Sequence, residues 1–277
     1  MMKLRTTGIG LLCAVAGVIT AVRAQTPTPP RSPQPQAPMA TISSGPAAQV
    51  IPPPPNYRYP NGQTYVYAVE WHLFNAGIAK VSIESNGGQQ HVTAVAESSG
   101  VVNSLYKVHD HFEAFFDPHT FCSIRISKHT EEGSRAKQTE ATFDYQRHKS
   151  SLDEKNLKTG ETMHVDNDLL ACATDVISGF YYVSSLPLEV GNTPTFIVSD
   201  GGKATVVVAQ VEAREKIKVP AGTFDTVRLK AEAASGPLKA KGTVWAWYTD
   251  DANHTPVQMR SKLGWGTLLF QLIRIDK

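Results

Sequence analysis

From Gln63 onward the chain alternates apolar and polar residues with period two, and the pattern recurs between turn signals to the end of the sequence. Successive side chains of a strand point to opposite faces, so this alternation describes half-buried strands rather than helices. In "TYVYAVEWHLF" Tyr65, Tyr67, Val69, Trp71 and Leu73 share one face. Asn75 to Gly77 reads as a turn, after which Ala79, Val81 and Ile83 alternate against Lys80, Ser82 and Glu84. "SNGG" (Ser85 to Gly88) is a hairpin signal, because Asn-Gly accepts the positive φ angles of a tight turn. The alternation resumes at Val92, Ala94 and Ala96, at Cys122, Ile124 and Ile126, and at Ala141, Phe143 and Tyr145. "SDGG" joins "TFIV" to "ATVVVAQV" as a second hairpin, and "TVWAWY" and "GTLLFQLIRI" follow. The expected fold is mainly β: a curved antiparallel sheet closing into a barrel-like or half-barrel domain.

One segment departs from this period. In "DNDLLACATDVISGFYYV" Leu169, Cys172, Ala173, Val176, Ile177 and Phe180 recur at helical spacing, with Asp166 to Asp168 as acidic cap candidates. The spacing predicts one helix over about 168–183, packed on the sheet.

Residues 1–24 have the layout of a cleavable export signal: Lys3 and Arg5, an apolar run from Ile9 to Val22, then Val22-Arg23-Ala24. Residues 25–55, "QTPTPPRSPQPQAPMATISSGPAAQVIPPPP", hold no aromatic residue and are expected to be a disordered, partly polyproline-II linker. Residues 56–277 form the third region, a single β-rich domain. No later stretch is long and apolar enough for a membrane span, so the expected location is the periplasm. Removing the signal takes Lys3, Arg5 and Arg23, and the formal charge falls from +2 to −1. That near-neutral balance, without a basic block, excludes a nucleic-acid footprint.

Candidate chemistry concentrates in "YKVHDHFEAFFDP" (Tyr106 to Pro118). As a strand it places Tyr106, Val108, Asp110, Phe112, Ala114 and Phe116 on one face. His109, His111 and Glu113 then step ~7 Å apart along the other. Two histidines at i and i+2 with a carboxylate are a weak zinc-site pattern, and Lys107 on the same face opposes it. A solvated strand face accounts for the same residues, and no metal or other cofactor is expected. Asp110 falls on the apolar face, either as an acceptor for backbone N–H groups or as a polar anchor in a cavity. Cys122 and Cys172, the pair left after signal removal, are either a disulfide closing a long loop or two separate buried thiols.

"GQTYVYAVEWHLFNAGIAKVSI", "SLYKVHDHFEAFFDPHTF", "KVPAGTFDTVRLKA" and "WAWYTDDANHTPVQM" occur in this order from about Gly62 to Leu272. Together they resemble the bacterial exported-protein family catalogued as domain of unknown function 3108. The resemblance implies secretion to the envelope and a β-rich single domain, and it brings no established activity and no catalytic residue. Asp110 matches the aspartate of the family's Tyr-x-Val-x-Asp strand, whereas His109 and His111 match no position of that motif. "KIKVPAGTFD" also resembles a hairpin of lipoprotein carriers and other envelope β-proteins, in which Pro220 ends a strand and Gly222 permits the turn.

The rings Tyr65, Tyr67, Trp71, Phe112, Phe116, Trp245 and Trp247 exceed what one small helix covers. The functional expectation is a non-enzymatic protein holding a lipid or glycan-type molecule on a concave aromatic face, with Tyr67, Trp71, Asp110, Phe112 and Trp247 as ligand-binding candidates. Two other classes stand beside it. One is an envelope scaffold or assembly factor that meets protein partners through sheet edges or the linker. The other is a hydrolase of envelope polymers using carboxylates such as Asp110, Asp250 and Asp251.

Overall fold

The computed structural model describes residues 48–277 except Leu73, Leu170, residues 236–241 and Trp265. The expected export signal and the expected linker as far as residue 47 lie outside the described residues. The first meander comprises β1 (Gln63–Trp71), β2 (Phe74–Asn86), β3 (Gln89–Ser98), helix α1 (Gly100–Leu105), β4 (Val108–Phe116), β5 (Ser123–Glu132), β6 (Arg135–Asp144), β7 (Lys149–Asn156) and β8 (Thr162–Asp168). After helix α2 (Ser178–Ser184) the second comprises β9 (Thr195–Val198), β10 (Thr205–Val219), β11 (Gly222–Ala233), β12 (Gly242–Thr249), β13 (Pro256–Leu263) and β14 (Gly266–Asp276).

All fourteen strands form one antiparallel sheet in the order β8-β7-β6-β5-β4-β3-β2-β1-β14-β13-β12-β11-β10-β9. The mainly β, curved antiparallel fold read from the alternation is the one observed. The first and last strands pair with each other, Tyr65 opposite Ile275 and Trp71 opposite Leu268, and join the meanders in mid-sheet. The two edges, β8 and β9, are consecutive in the chain and do not pair, so the sheet stays open. Residues 169–177 cross between the arms instead. Ser123 N–H donates to Ala173 O at 2.9 Å, and Thr174 bridges Val198 in parallel while its N–H donates to Ile197 O at 3.0 Å.

"SNGG" forms the β2–β3 turn, with Gly87 and Gly88 at φ +58° and +83°. Asn75 to Gly77, by contrast, is no turn. It lies inside β2, where a Cβ on Gly77 would stand 1.9 Å from Glu97 O, so only glycine lets β3 pair this closely. The expected helix over 168–183 is also much shorter. Residues 162–168 form β8, the described residues between 169 and 177 are irregular, and of the expected span only Ser178 onward, in Ser178–Ser184, is helical. Its apolar residues are buried because the chain threads between the sheet's arms, tied by backbone bonds to β5 and β9, and not because they share a helix stripe.

Asp166 and Asp168 do not cap that helix. They bind Ser151 Oγ and Lys149 Nζ, each at 2.6 Å, along the β7–β8 ladder. The capping acid is Asp175, which is fully buried. Its Oδ1 accepts from the N–H groups of Ile177 (2.9 Å) and Ser178 (2.8 Å), and its Oδ2 from Ser123 Oγ (2.6 Å). Asp175→Ala leaves these donors without their acceptor, and a loss of about 2–3 kcal/mol in unfolding free energy is expected. Urea titration checks this; a loss below about 0.5 kcal/mol, the usual scale of a surface change, would mean the cap is dispensable.

The core lies on the concave side. Tyr65, Tyr67 and Val69 of β1, Val92 and Ala94 of β3, Phe112 and Phe116 of β4, Val227 and Leu229 of β11 and Phe270 of β14 are buried there. Phe121 stacks on Phe116 (ring centroids 5.1 Å apart) and meets Tyr59 (5.4 Å) and Tyr182 (5.5 Å), closing one end of the trough. Gln49 N–H donates to Thr195 O, Ile51 N–H to Tyr182 Oη, and Val50 is buried, so an apolar residue within the proline-rich stretch is held at the start of β9 and against α2.

Candidate functional site

Alternation sends Tyr65 and Tyr67, Ala79 and Val81, Ala94, Phe112, Val207 and Ala209, Leu229 and Ala231, Val244, Ala246 and Tyr248, Met259, and Phe270 to one side of the sheet. The crossover and α2 supply Ile177, Phe180, Tyr181 and Val183 from above. Between them lies a cavity of about 290 Å³. That is roughly twice the ~150 Å³ apolar cavity able to take up benzene, and near the lower bound of ~300 Å³ for ligand pockets.

Glu232, Gly242, Ser261 and Leu263, at the ends of β11, β12 and β13, form the rim. The opposite end is closed by α2 and three phenols. Tyr67 Oη donates to Pro256 O at 2.8 Å, and Tyr248 Oη to Phe180 O at 3.3 Å. The Tyr65 and Tyr181 rings stack with centroids 6.4 Å apart. Among the described residues lining the cavity, Lys80 is the only cationic side chain, and it is exposed. The arrangement fits an apolar guest.

Of the five ligand-binding candidates read from sequence, Tyr67 and Phe112 line this cavity. Trp71, Asp110 and Trp247 do not. Trp71 sits at the very end of β1, beside His72, beyond the lined region. Trp247, with Trp245, is on the convex face. In "TVWAWY" both parities are apolar, and it is Val244, Ala246 and Tyr248 that turn inward. The outward tryptophans are held by polar partners: Trp247 Nε1–H donates to Glu215 Oε1 at 2.7 Å, and the Arg260 guanidinium lies 4.5 Å from the Trp245 ring centroid.

Asp110 is fully buried on the concave face but serves β5 rather than a guest. Its Oδ1 accepts from Glu131 N–H at 3.1 Å. The buried Glu132 carboxyl lies beside it, and burial together with that neighbouring charge pushes the Asp110 carboxyl from 3.8 up to about 8. His109, His111 and Glu113 all face the convex side and do not converge. His109 Nδ1 pairs with Glu97 at 3.3 Å, Glu113 with His91 Nε2 at 3.8 Å, and His111 stands opposite His129 across the β4–β5 ladder. Among the described residues no group of three or more His, Cys, Asp or Glu side chains could hold a metal ion.

Cys122 and Cys172 are joined, Cα atoms 5.1 Å apart, and the bond ties the crossover to the start of β5. The acids considered for hydrolysis are not assembled. Asp250 pairs with Arg214 Nε at 2.9 Å, and Asp251 accepts from Thr249 Oγ1, both at the β12–β13 turn, whereas Asp110 lies on β4, separated from β13 by β3, β2, β1 and β14. The residues missed in sequence are those of the roof, Ile177, Phe180 and Tyr181. Their signal was the run "VISGFYYV", which carries no charged residue at any helical angle and so marks a segment without a solvent face.

A family profile described as "Protein of unknown function (DUF3108)" matches residues 66–273. No curated protein matches the chain. Among solved structures, a β-barrel-like protein of the domain of unknown function DUF1849 from Brucella abortus superposes with a TM-score of 0.53 at 9% identity, covering 83% of this chain and 98% of that one. A candidate exported protein with a YmcC-like fold from Bacteroides fragilis aligns at 10% identity and TM-score 0.35, covering 83% of this chain and 100% of that one. A candidate lipoprotein from Parabacteroides distasonis aligns at 11% identity and TM-score 0.30, covering 83% and 99%. The first likeness supports the barrel-like fold and nothing more specific.

Proposed function

The chain belongs to the DUF3108 family of proteins of unknown function, and from that premise we propose that it is a non-enzymatic protein of the bacterial envelope that binds an apolar or amphipathic molecule. The observation that carries this reading is the apolar cavity of about 290 Å³ roofed by α2. An unfilled space of this size in a core forfeits packing contacts on every wall, whereas a guest restores them and gains about 0.8 kcal/mol for each methylene it buries. Location in the periplasm is part of the same proposal. It is supported by the charged-then-apolar start of the sequence and by the Cys122–Cys172 bond, which persists in oxidising compartments.

The test is occupancy of the cavity. Titration with the fluorophore N-phenyl-1-naphthylamine is expected to saturate, and Ala246→Trp, which projects an indole into the space from β12, to weaken binding at least about 10-fold with the fold retained. Absence of saturable binding, or equal binding by the variant, would remove the reading.

A further inference from the structure

The three most exposed large apolar side chains among the described residues are Leu105 (77%), Val101 (74%) and Phe74 (68%). They are separated in sequence by β2 and β3, yet the fold brings them to one place. Val101 and Leu105, at i and i+4, share one side of α1, while Val102 is buried in the core. Helix α1 follows directly on β3, and the Ser99 N–H that precedes it donates to Ala76 O at 2.9 Å, in the first turns of chain after Phe74. One exposed apolar residue needs no explanation, but a cluster of them marks a contact surface.

The register ties this cluster to the mouth of the cavity. Ala231, Val244 and Ser261, all in its lining, stand in one row across the sheet with Leu268, Trp71 and Phe74, each opposite the next. The rim formed by Glu232, Gly242, Ser261 and Leu263 therefore lies at the same strand ends as Phe74 and α1. Connections of an antiparallel sheet alternate between two ends, and this one also carries the β7–β8 and β9–β10 turns. Lys158 in the first of these turns, Lys203 in the second and Lys262 beside the rim are all exposed. The acids Glu131 and Glu232 of the same end are paired, with Lys107 at 3.8 Å and Lys230 at 2.9 Å.

We propose that this end of the sheet docks on an anionic phospholipid bilayer. Phe74, Val101 and Leu105 enter the acyl boundary, the lysines meet lipid phosphates, and the cavity mouth comes to rest against the membrane. The proposal rests on the cavity reading and names where the guest comes from. An apolar guest dissolves in a bilayer and scarcely in water, so a mouth held against lipid lets it pass without wetting its methylenes. Apolar side chains on a short helix and a hairpin end, interspersed with lysines, suit a headgroup layer better than a protein interface, whose buried centre is depleted of charge.

The test places the environment-sensitive dye NBD on the exported chain, at Ser104→Cys in α1 or at Asn253→Cys in the β12–β13 turn. Vesicles of phosphatidylethanolamine and phosphatidylglycerol are expected to blue-shift the first label and not the second. Combining Phe74→Ser, Val101→Ser and Leu105→Ser should weaken partition at least about 20-fold. Naphthylamine binding in solution and the unfolding midpoint should stay as in wild type, because the three residues are exposed and none lines the cavity. Vesicles of phosphatidylcholine alone should bind about 10-fold more weakly, and equal uptake by both would overturn the choice of an anionic surface. Undiminished partition of the triple variant, or a shift at the second label as large as at the first, would overturn the docking assignment and leave the cavity reading standing. Self-association that the serines abolish, with no uptake by vesicles, would overturn it in favour of a second copy of the chain. Docking without any naphthylamine binding would instead remove the cavity reading, and with it the route for a guest.

Discussion

Replacing Cys122 and Cys172 together by serine is expected to lower the unfolding free energy by about 4 kcal/mol. The bond spans 50 residues of sequence, and chain-entropy arguments assign roughly that much to a closed loop of such a length. Most of this acts on the unfolded chain, because the folded crossover has other ties in the same place. Ser123 N–H and Tyr145 Oη both donate to Ala173 O, at 2.9 and 3.1 Å, and Ser123 Oγ donates to Asp175. The reduced protein should therefore keep its cavity and still bind the naphthylamine probe while unfolding at lower urea. Paired urea titrations with and without reductant give the number. A reduced chain within about 1 kcal/mol of the oxidised one would mean that the unfolded state retains the loop by other contacts.

What the sequence made legible was the parity of strands whose two faces differ sharply. β4 was read correctly from Val108 to Ala114, because Val108, Phe112 and Ala114 are apolar and buried while His109, His111 and Glu113 are not; at Phe115, read as outward, the register shifts and Phe115 and Phe116 are both buried. Parity failed where both faces are apolar. Trp245 and Trp247 are larger than Val244 and Ala246, yet a convex face can hide large rings under Arg260 and Glu215, and the concave face needs small ones to leave a cavity. β7 and β8 carried little apolar signal because they lie at an edge, where polar side chains serve inward as well. Ser150 is buried, yet its hydroxyl binds Gly201 O from the β9–β10 turn. Gly201 itself, at φ +88°, would place a Cβ 2.3 Å from that of Ala141, so this approach requires glycine.

The crossover was misread for a different reason. Helical spacing over Leu169 to Phe180 is real, but Thr174 pairs with β9 and Ala173 accepts from β5, and long-range backbone bonds outweigh a weak local preference. Tyr181 was invisible in a stronger sense. "YY" at 181–182 gives two equivalent phenols, and only their surroundings separate them: Tyr182 Oη accepts from Ile51 N–H, while Tyr181 Oη has no such partner among the described residues.

The stability of the wild-type chain should fall as pH rises from 4 to 8, and Asp110→Asn should flatten that slope. The sign follows from linkage. In the unfolded chain the Asp110 carboxyl loses its proton near 3.8, whereas in the folded protein burial and the adjacent Glu132 hold it to about 8. Below 3.8 both states are protonated, and the native hydrogen bonding is fully present. Between the two values the unfolded state binds fewer protons, so each rise in pH favours unfolding, and above 8 the loss is complete. At roughly 1.4 kcal/mol per unit of difference, the loss is on the order of a few kcal/mol once the sharing of the proton with Glu132 is allowed for.

Asparagine keeps the shape of the protonated acid and can still accept from Glu131 N–H through its carbonyl oxygen, without ever ionising. Wild type and variant should accordingly be close in stability near pH 4, and the variant should be the more stable by a margin that grows up to about pH 8 and persists at pH 9. Because Asp110 lies outside the cavity lining, binding of the naphthylamine probe should be the same in both proteins. Urea titrations at pH 4, 7 and 9 decide the matter. Parallel slopes would show that the Asp110–Glu132 pair gives up its proton as readily in the fold as in the unfolded chain, and that the carboxyl between β4 and β5 is solvated rather than buried.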